Sequence, residues 1–210
     1  MRLFNNAIEL DPEFASAYGR AAVCYARAKG QGRILGTANA IAEVSRLARR
    51  AVELGKDDAI ALAASGWALA YVARDLEAGA ALIDRALVLN SNLAEAWSFG
   101  GWAKIWLGEP EAALERFARA MRLSPLGPWV VSLRAGIVHA HFLLGHYDEA
   151  VSWAAIALRD DPDHLPSLRI GAASNAMAGR PGASAGGGSS AASTASGVLY
   201  LQSEGRVRPL

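Results

Sequence analysis

Three histidines, His139, His141 and His146, stand close enough along the chain to raise the question of a metal shell. An i, i+2 pair points to different sides of a helix, and no cysteine or well-placed carboxylate completes the set, so surface and groove positions account for them and no metal is expected. Phosphate chemistry fares no better. Gly30-Gln31-Gly32 lacks the next glycine of a dinucleotide fingerprint and has no strand before it, and Gly55-Lys56-Asp57 lacks both the upstream glycine and the hydroxyl residue of a phosphate loop. The first reads as a connector and the second as a helix C-cap. Acidic pairs at Asp57-Asp58 and Asp160-Asp161 fall at helix ends, where capping explains them. The single cysteine, Cys24, sits in an Ala-rich helical stretch and reads as a small apolar residue, with Arg20 and Arg27 the only basic groups near it. No nucleophile, base and orienting group can be assembled, so neither an enzyme nor a bound cofactor is expected.

What remains to be positioned is a surface. The chain has 210 residues, 52% hydrophobic and 20% charged, enough for one folded domain with a substantial core. A formal net charge of +1 draws it neither to nucleic acid nor to an anionic membrane. Arg46, Arg49 and Arg50, and again Arg116, Arg119 and Arg122, recur at helical spacing with Glu111 and Glu115 nearby, the pattern of a solvated outer face. The opening Met1-Arg2-Leu3-Phe4-Asn5-Asn6 lacks the basic and apolar regions of a signal peptide, and the longest apolar stretch, 59–73, stops short of a membrane span. With one cysteine, these features predict a cytoplasmic protein with no membrane partner.

Five phrases of one kind end apolar-periodic segments, beginning at Ala7, Ala51, Ala86, Ala120 and Ala157, at spacings of roughly 34 to 44 residues. The clearest unit covers 94–127: Trp97, Gly100-Gly101 and Ala103 on a first helix, a turn at Leu107-Gly108-Glu109-Pro110, then Ala113, Phe117 and Ala120 before Pro125. Two antiparallel helices approach closely only where Gly or Ala removes bulk, an aromatic ring fills the adjacent hole, and proline ends the second helix. This pattern resembles the tetratricopeptide repeat. The resemblance implies an all-α solenoid of antiparallel helix pairs wound into a right-handed superhelix, whose role is to bind other polypeptides.

Repeats are expected at 15–58, 59–93, 94–127 and 131–164, with one extra residue in the turn at Arg74-Asp75-Leu76 and a Gly-rich connection at 30–36 in the first. Both ends read as incomplete. Residues 1–14 supply the last turns of a second helix whose partner would precede Met1, as in a piece of a longer protein, and 165–179 supply a first helix with no returning one. Self-association through the unpaired helix at 1–14 or at 165–179 is expected. Residues 180–210 have Gly/Ala/Ser-rich linker composition and are expected to be disordered. A shift of reading frame near Arg180 would produce such a switch, and a native tail is the alternative. The short run Val198-Leu199-Tyr200-Leu201 could rest on the last helix.

In tetratricopeptide superhelices the first helix of each pair lines the concave side. The register then places Arg20 and Arg27, Trp67 and Tyr71, Phe99, Trp102 and Trp106, and His139 and Phe142 along a peptide-binding groove. Aromatic residues stand where chaperone-binding members of the family carry the polar clamp for a terminal carboxylate, so that clamp is not expected. Trp102 and Trp106 would serve equally well as core between neighbouring repeats, whereas Trp97 and Phe117 belong to the core.

The central stretch, with Ala81-Leu82-Ile83-Asp84-Arg85-Ala86-Leu87 and Phe117-Ala118-Arg119-Ala120-Met121-Arg122-Leu123-Ser124-Pro125, also resembles the tetratricopeptide region that follows the catalytic domain of many bacterial class III adenylate/guanylate cyclases. Related regions follow winged-helix DNA-binding domains in bacterial regulators. Two roles are therefore expected: a scaffold binding a protein or peptide partner in its groove, or a regulatory or oligomerising arm whose groove is filled by its own chain.

Overall fold

The computed structural model describes residues 2–30, 32–33 and 37–180. Among these every regular element is helical: α1 (Arg2–Leu10), α2 (Ala15–Gly30), α3 (Ala38–Leu54), α4 (Ala59–Ala68, continued by a π-helical turn, Leu69–Ala73), α5 (Leu76–Leu89), α6 (Ala94–Leu107), α7 (Pro110–Leu123), α8 (Val130–Leu143), α9 (Tyr147–Asp160) and α10 (Leu165–Met177). The expected tail over 181–210, the disorder assigned to it and the Val198-Leu199-Tyr200-Leu201 contact lie outside the described residues, as does most of the Gly-rich connection.

Each recurring phrase makes the same bond. The backbone N–H groups of Asp11, Gly55, Asn90, Ser124 and Asp161 donate to the carbonyls of Ala7, Ala51, Ala86, Ala120 and Ala157 at 2.9 to 3.2 Å. The carbonyl of each donor residue then accepts from the residue three further on, Phe14, Asp58, Leu93, Gly127 and His164, which turns the chain into the next helix. These bonds satisfy groups that a helix end leaves unpaired. Asp58 completes the device for α4, its Oδ1 accepting from the N–H groups of Ile60 and Ala61 at 2.9 and 3.0 Å.

Alanine holds these positions because the helices meet there. Ala51, Ala86, Ala120 and Ala157 are buried. Elsewhere the approach is closer still. A Cβ on Gly66 would stand 2.9 Å from Ile83 Cγ1, and one on Gly79 would stand 2.8 Å from the Ala70 Cβ, so α4 and α5 cross backbone against backbone. At the next crossing the Phe117 ring lies between the bare backbones of Gly101 on α6 and Gly136 on α8.

The first helices of successive pairs form one layer, α2 on α4, α4 on α6, α6 on α8 and α8 on α10, while α3, α5, α7 and α9 back them. First helices end in a left-handed residue: Arg74, Gly108, Gly145 and Gly179, with φ between 64° and 79°. The second pair has one residue more before this point than the third, and the π-helical turn over Leu69–Ala73 absorbs it. Helices α2 and α3 run to 16 and 17 residues against 14 in each of α5 to α9.

Candidate functional site

On the inner layer the aromatic side chains of α4, its π-helical turn and α6 touch one another in sequence. The Trp67 ring is stacked on Phe99 at 4.7 Å between centroids and on Tyr71 at 6.0 Å. Tyr71 stacks in turn on Trp106 at 5.1 Å, and Trp106 on Trp102 at 5.9 Å. Trp102 meets Phe117 and His139 edge-on, at 6.0 and 5.0 Å. Such offset and edge-to-face pairs suit the charge distribution of aromatic rings. The ladder spans three repeats because i, i+4 spacing places Trp67 with Tyr71, and Trp102 with Trp106, on one helical face.

Within this ladder depth is uneven. Phe99 is 1% exposed, Trp67 7% and Trp102 9%, whereas Tyr71 and Trp106 are half-buried and form its open edge. The indole N–H groups of Trp67 and Trp102 are buried and have no hydrogen-bond partner among the described residues. Unmet buried donors carry a desolvation penalty that the ring packing around them has to outweigh.

The remaining expected groove residues take distinct places. Arg20, on α2, pairs with the buried Glu95 of α6. The Arg27 guanidinium lies 4.8 Å over the Trp129 ring. His139 is half-buried with Nδ1 2.7 Å from the Ala135 carbonyl, an arrangement that requires the proton on Nδ1 and leaves Nε2 as an acceptor. Burial pushes its pKa down, against the bond to Ala135, so the ring is neutral at pH 7. Phe142 is not part of the ladder. It contacts Tyr147 at 5.7 Å and packs on a separate cluster containing Val138, Ala150, Ala154 and Ile170.

Two contributors escape a reading by helical register. Trp129 precedes α8 at the end of Gly127-Pro128-Trp129, and its ring meets Phe99 edge-on at 5.3 Å and Trp67 at 6.1 Å. Lys29 donates to the Tyr71 carbonyl at 2.9 Å, and its ammonium sits 4.8 Å from the centre of the Tyr71 ring. That carbonyl belongs to the last turn of its helix, where backbone acceptors lack intrahelical donors. The signal for Trp129 was the Pro-Trp pair in a turn, outside any first-helix register.

Other candidate chemistry disperses. The rings of His141 and His146 lie 5.9 Å apart, and among the described residues no cluster of three His, Cys, Asp or Glu could hold a metal ion. Cys24 is half-buried. Arg116 reaches across to Asp84 of the preceding pair at 2.8 Å, rather than to a glutamate of its own helix. No described helix is long and apolar enough to cross a membrane.

The fold matches solved tetratricopeptide structures. YrrB, described as a TPR protein with an unusual peptide-binding site, aligns at a TM-score of 0.51 with 22% identity over 85% of each chain. Two MamA structures align at 0.52 with 19% identity: MSR-1 C2, over 76% of this chain and 88% of that one, and AMB-1 P212121, over 78% and 89%. No protein-family model and no curated protein matches the chain. The likenesses establish an all-α solenoid of tetratricopeptide type, and they carry no link to nucleotide cyclases.

Proposed function

We propose that the chain is a non-catalytic protein-interaction scaffold that receives a peptide or helix of a partner along the groove of Arg20, Arg27, Trp67, Tyr71, Phe99, Trp102, Trp106, His139 and Phe142. One observation carries this reading: a continuous aromatic ladder on the inner layer opens to solvent at the half-buried Tyr71 and Trp106 rings. Partly open aromatic rings on an inner helical layer are anchors for the apolar side chains of a peptide. The peptide-binding site described for YrrB, a structure of the same fold, supports it. In this reading the repeats divide at 15–58, 59–93, 94–127 and 131–164, and only Tyr71, Trp106 and the rim residues meet the ligand without rearrangement.

The testing experiment places a photo-crosslinking phenylalanine analogue at position 71 and, separately, at the outer position 119. Adducts with a partner polypeptide at 71 and none at 119 support the groove; the reverse pattern removes it.

The second reading is a regulatory or oligomerising segment of a nucleotide cyclase or winged-helix regulator, with the groove served by its own chain. It is favoured by Trp129 and Arg27, which cross the concave face from within the molecule, and by Leu3 and Leu10, both largely exposed on α1. Sedimentation across a wide concentration range tests its oligomerising form, and a monomer throughout counts against it. A cytoplasmic location is part of both readings, in keeping with a lone cysteine.

A further inference from the structure

The solenoid brings the end of α2 round to the start of α10. A Cβ on Gly32, just after α2, would stand 3.9 Å from Leu165 Cδ1, and Arg27 is near enough to His164 for its charge to act on that ring. This curvature gathers cations at the open edge of the ladder. Lys29 caps the Tyr71 ring, Arg27 caps the Trp129 ring, and the charge of Arg169, on α10, reaches the Tyr71 phenol. Among the described residues no carboxylate pairs with Arg27, Lys29 or Arg169. Glu95 is the buried acid beside the ladder, and Arg20 already neutralises it. Asp161 acts on His164.

The charged groups gathered at this edge are therefore cations: the Lys29 ammonium and the guanidinium groups of Arg27 and Arg169. Burial, and to a lesser extent the neighbouring Arg74, pushes the Lys29 ammonium below its usual range. An anion would complement the three gathered cations. A single-stranded nucleic acid would supply one, but it needs free ring faces for its bases. Here Trp67 is covered by Tyr71 and Phe99, and Tyr71 by Trp106 and Lys29.

We propose that the segment received by the groove is acidic: an extended peptide whose apolar residue rests on Tyr71 and Trp106 while flanking Asp or Glu carboxylates meet Arg27, Lys29 and Arg169. This rests on the reading of the groove as a peptide site. Charge complementarity of this kind selects partners and speeds encounter.

The test uses the full chain and four fluorescein-labelled probes read by anisotropy. Three are peptide pools alternating Leu, Phe, Ile or Val with Glu, with Gln or with Lys, and the fourth is oligothymidylate. The Glu pool should bind at least about tenfold more tightly than the Gln pool, with the gap narrowing as salt rises, and the Lys pool should bind weakest. In the Arg27→Glu, Arg169→Glu double variant, checked for an unchanged melt, the order of Glu and Lys pools should reverse. Equal binding of the Glu and Gln pools overturns the acidic partner and leaves the peptide groove standing. Preference for the Lys pool or for oligothymidylate overturns the acidic partner, and oligothymidylate binding alone removes the peptide groove too. If no probe binds, both readings fall.

Discussion

The guanidinium carbon of Arg27 lies 4.8 Å from the centre of the Trp129 ring, joining α2 to the turn before α8 across the concave face. Trp129 is also in edge contact with Trp67 and Phe99, so one side chain ties three first helices to the entry of a fourth. Adjacent-pair stacking alone would leave α2 and α8 unconnected.

Trp129→Ala should therefore destabilise the chain by about 2–3 kcal/mol, below the range for a fully buried tryptophan because this ring is half-buried. Urea unfolding measures it. A loss under about 0.5 kcal/mol would show that Trp129 merely decorates the groove.

Gly101 and Gly136 both close on the Phe117 ring. A Cβ at Gly101 would stand 2.6 Å from Phe117 Cδ1, and one at Gly136 2.7 Å from Cε1, distances that real side chains do not tolerate. Gly101→Ala should already cost about 1–3 kcal/mol and Gly101→Leu more, since overpacking here has no flexible neighbour to displace. Thermal melts of the two variants check this, and parental melting of Gly101→Leu would contradict the crossing.

That crossing was legible in the sequence, and so were the five phrases, because both follow from local rules. An alanine or glycine at a fixed offset from a capping turn reports a helix end and a close approach whatever the neighbours are. Burial depth obeys no such rule. Trp102 and Trp106 share a face by i, i+4 spacing, yet the first is 9% exposed and the second half-buried, because His139 and Phe117 close over Trp102 alone. Phe142 fits the same groove register, but packing of α8 against α9 and α10 draws it to Tyr147 and the Ile170 cluster. Trp129 was invisible to register because it lies in a turn, and Lys29 because its partner is a backbone carbonyl at a π-helical turn.

Arg20 and Glu95 link the first and third pairs. Glu95 is 8% exposed, so removing Arg20 leaves a buried charge without its partner. Arg20→Ala should cost about 2–3 kcal/mol, toward the low side for a broken buried pair because Arg20 keeps some contact with water. The Arg20→Ala, Glu95→Gln double variant should recover part of that loss. Strict additivity in the cycle would show that the pair contributes no coupling.

Acid should weaken the fold before the carboxylates titrate. Burial lowers the pKa of His139, and also of His164 and His141, against smaller opposing effects of the Ala135 carbonyl, Asp161 and Glu149 respectively. Below about pH 6.5 the unfolded histidine takes a proton that the folded one refuses, so stability present above that pH is lost as pH falls. A histidine whose protonation is fully suppressed, as burial favours at His139, contributes up to about 1.4 kcal/mol per pH unit, and the more solvent-screened His141 contributes less. Melting temperatures should drop between about pH 7.5 and 5.5. His139→Gln, which can still donate to Ala135, should flatten the slope, and an unchanged slope would assign the effect to other groups.

The two tryptophans of α6 separate core from groove. Trp102 is almost wholly enclosed, and its truncation to alanine should cost about 3–5 kcal/mol of stability, so any loss of binding in that variant is indirect. Trp106 stacks on Tyr71 at the open edge with part of its surface in water. Its truncation should cost about half as much stability and, if the groove takes a peptide, weaken binding by about 2 kcal/mol, as expected of an aromatic anchor. Replacing the outer Arg119 should change binding little, because it lies on α7, behind the inner layer. Crosslinked or titrated peptide can therefore be read against melts of the same variants. Binding that survives Trp106→Ala in a stable chain would move the ligand site off the ladder altogether, and Trp102→Ala melting like the parent would mean that the inner layer opens more readily than its close packing implies.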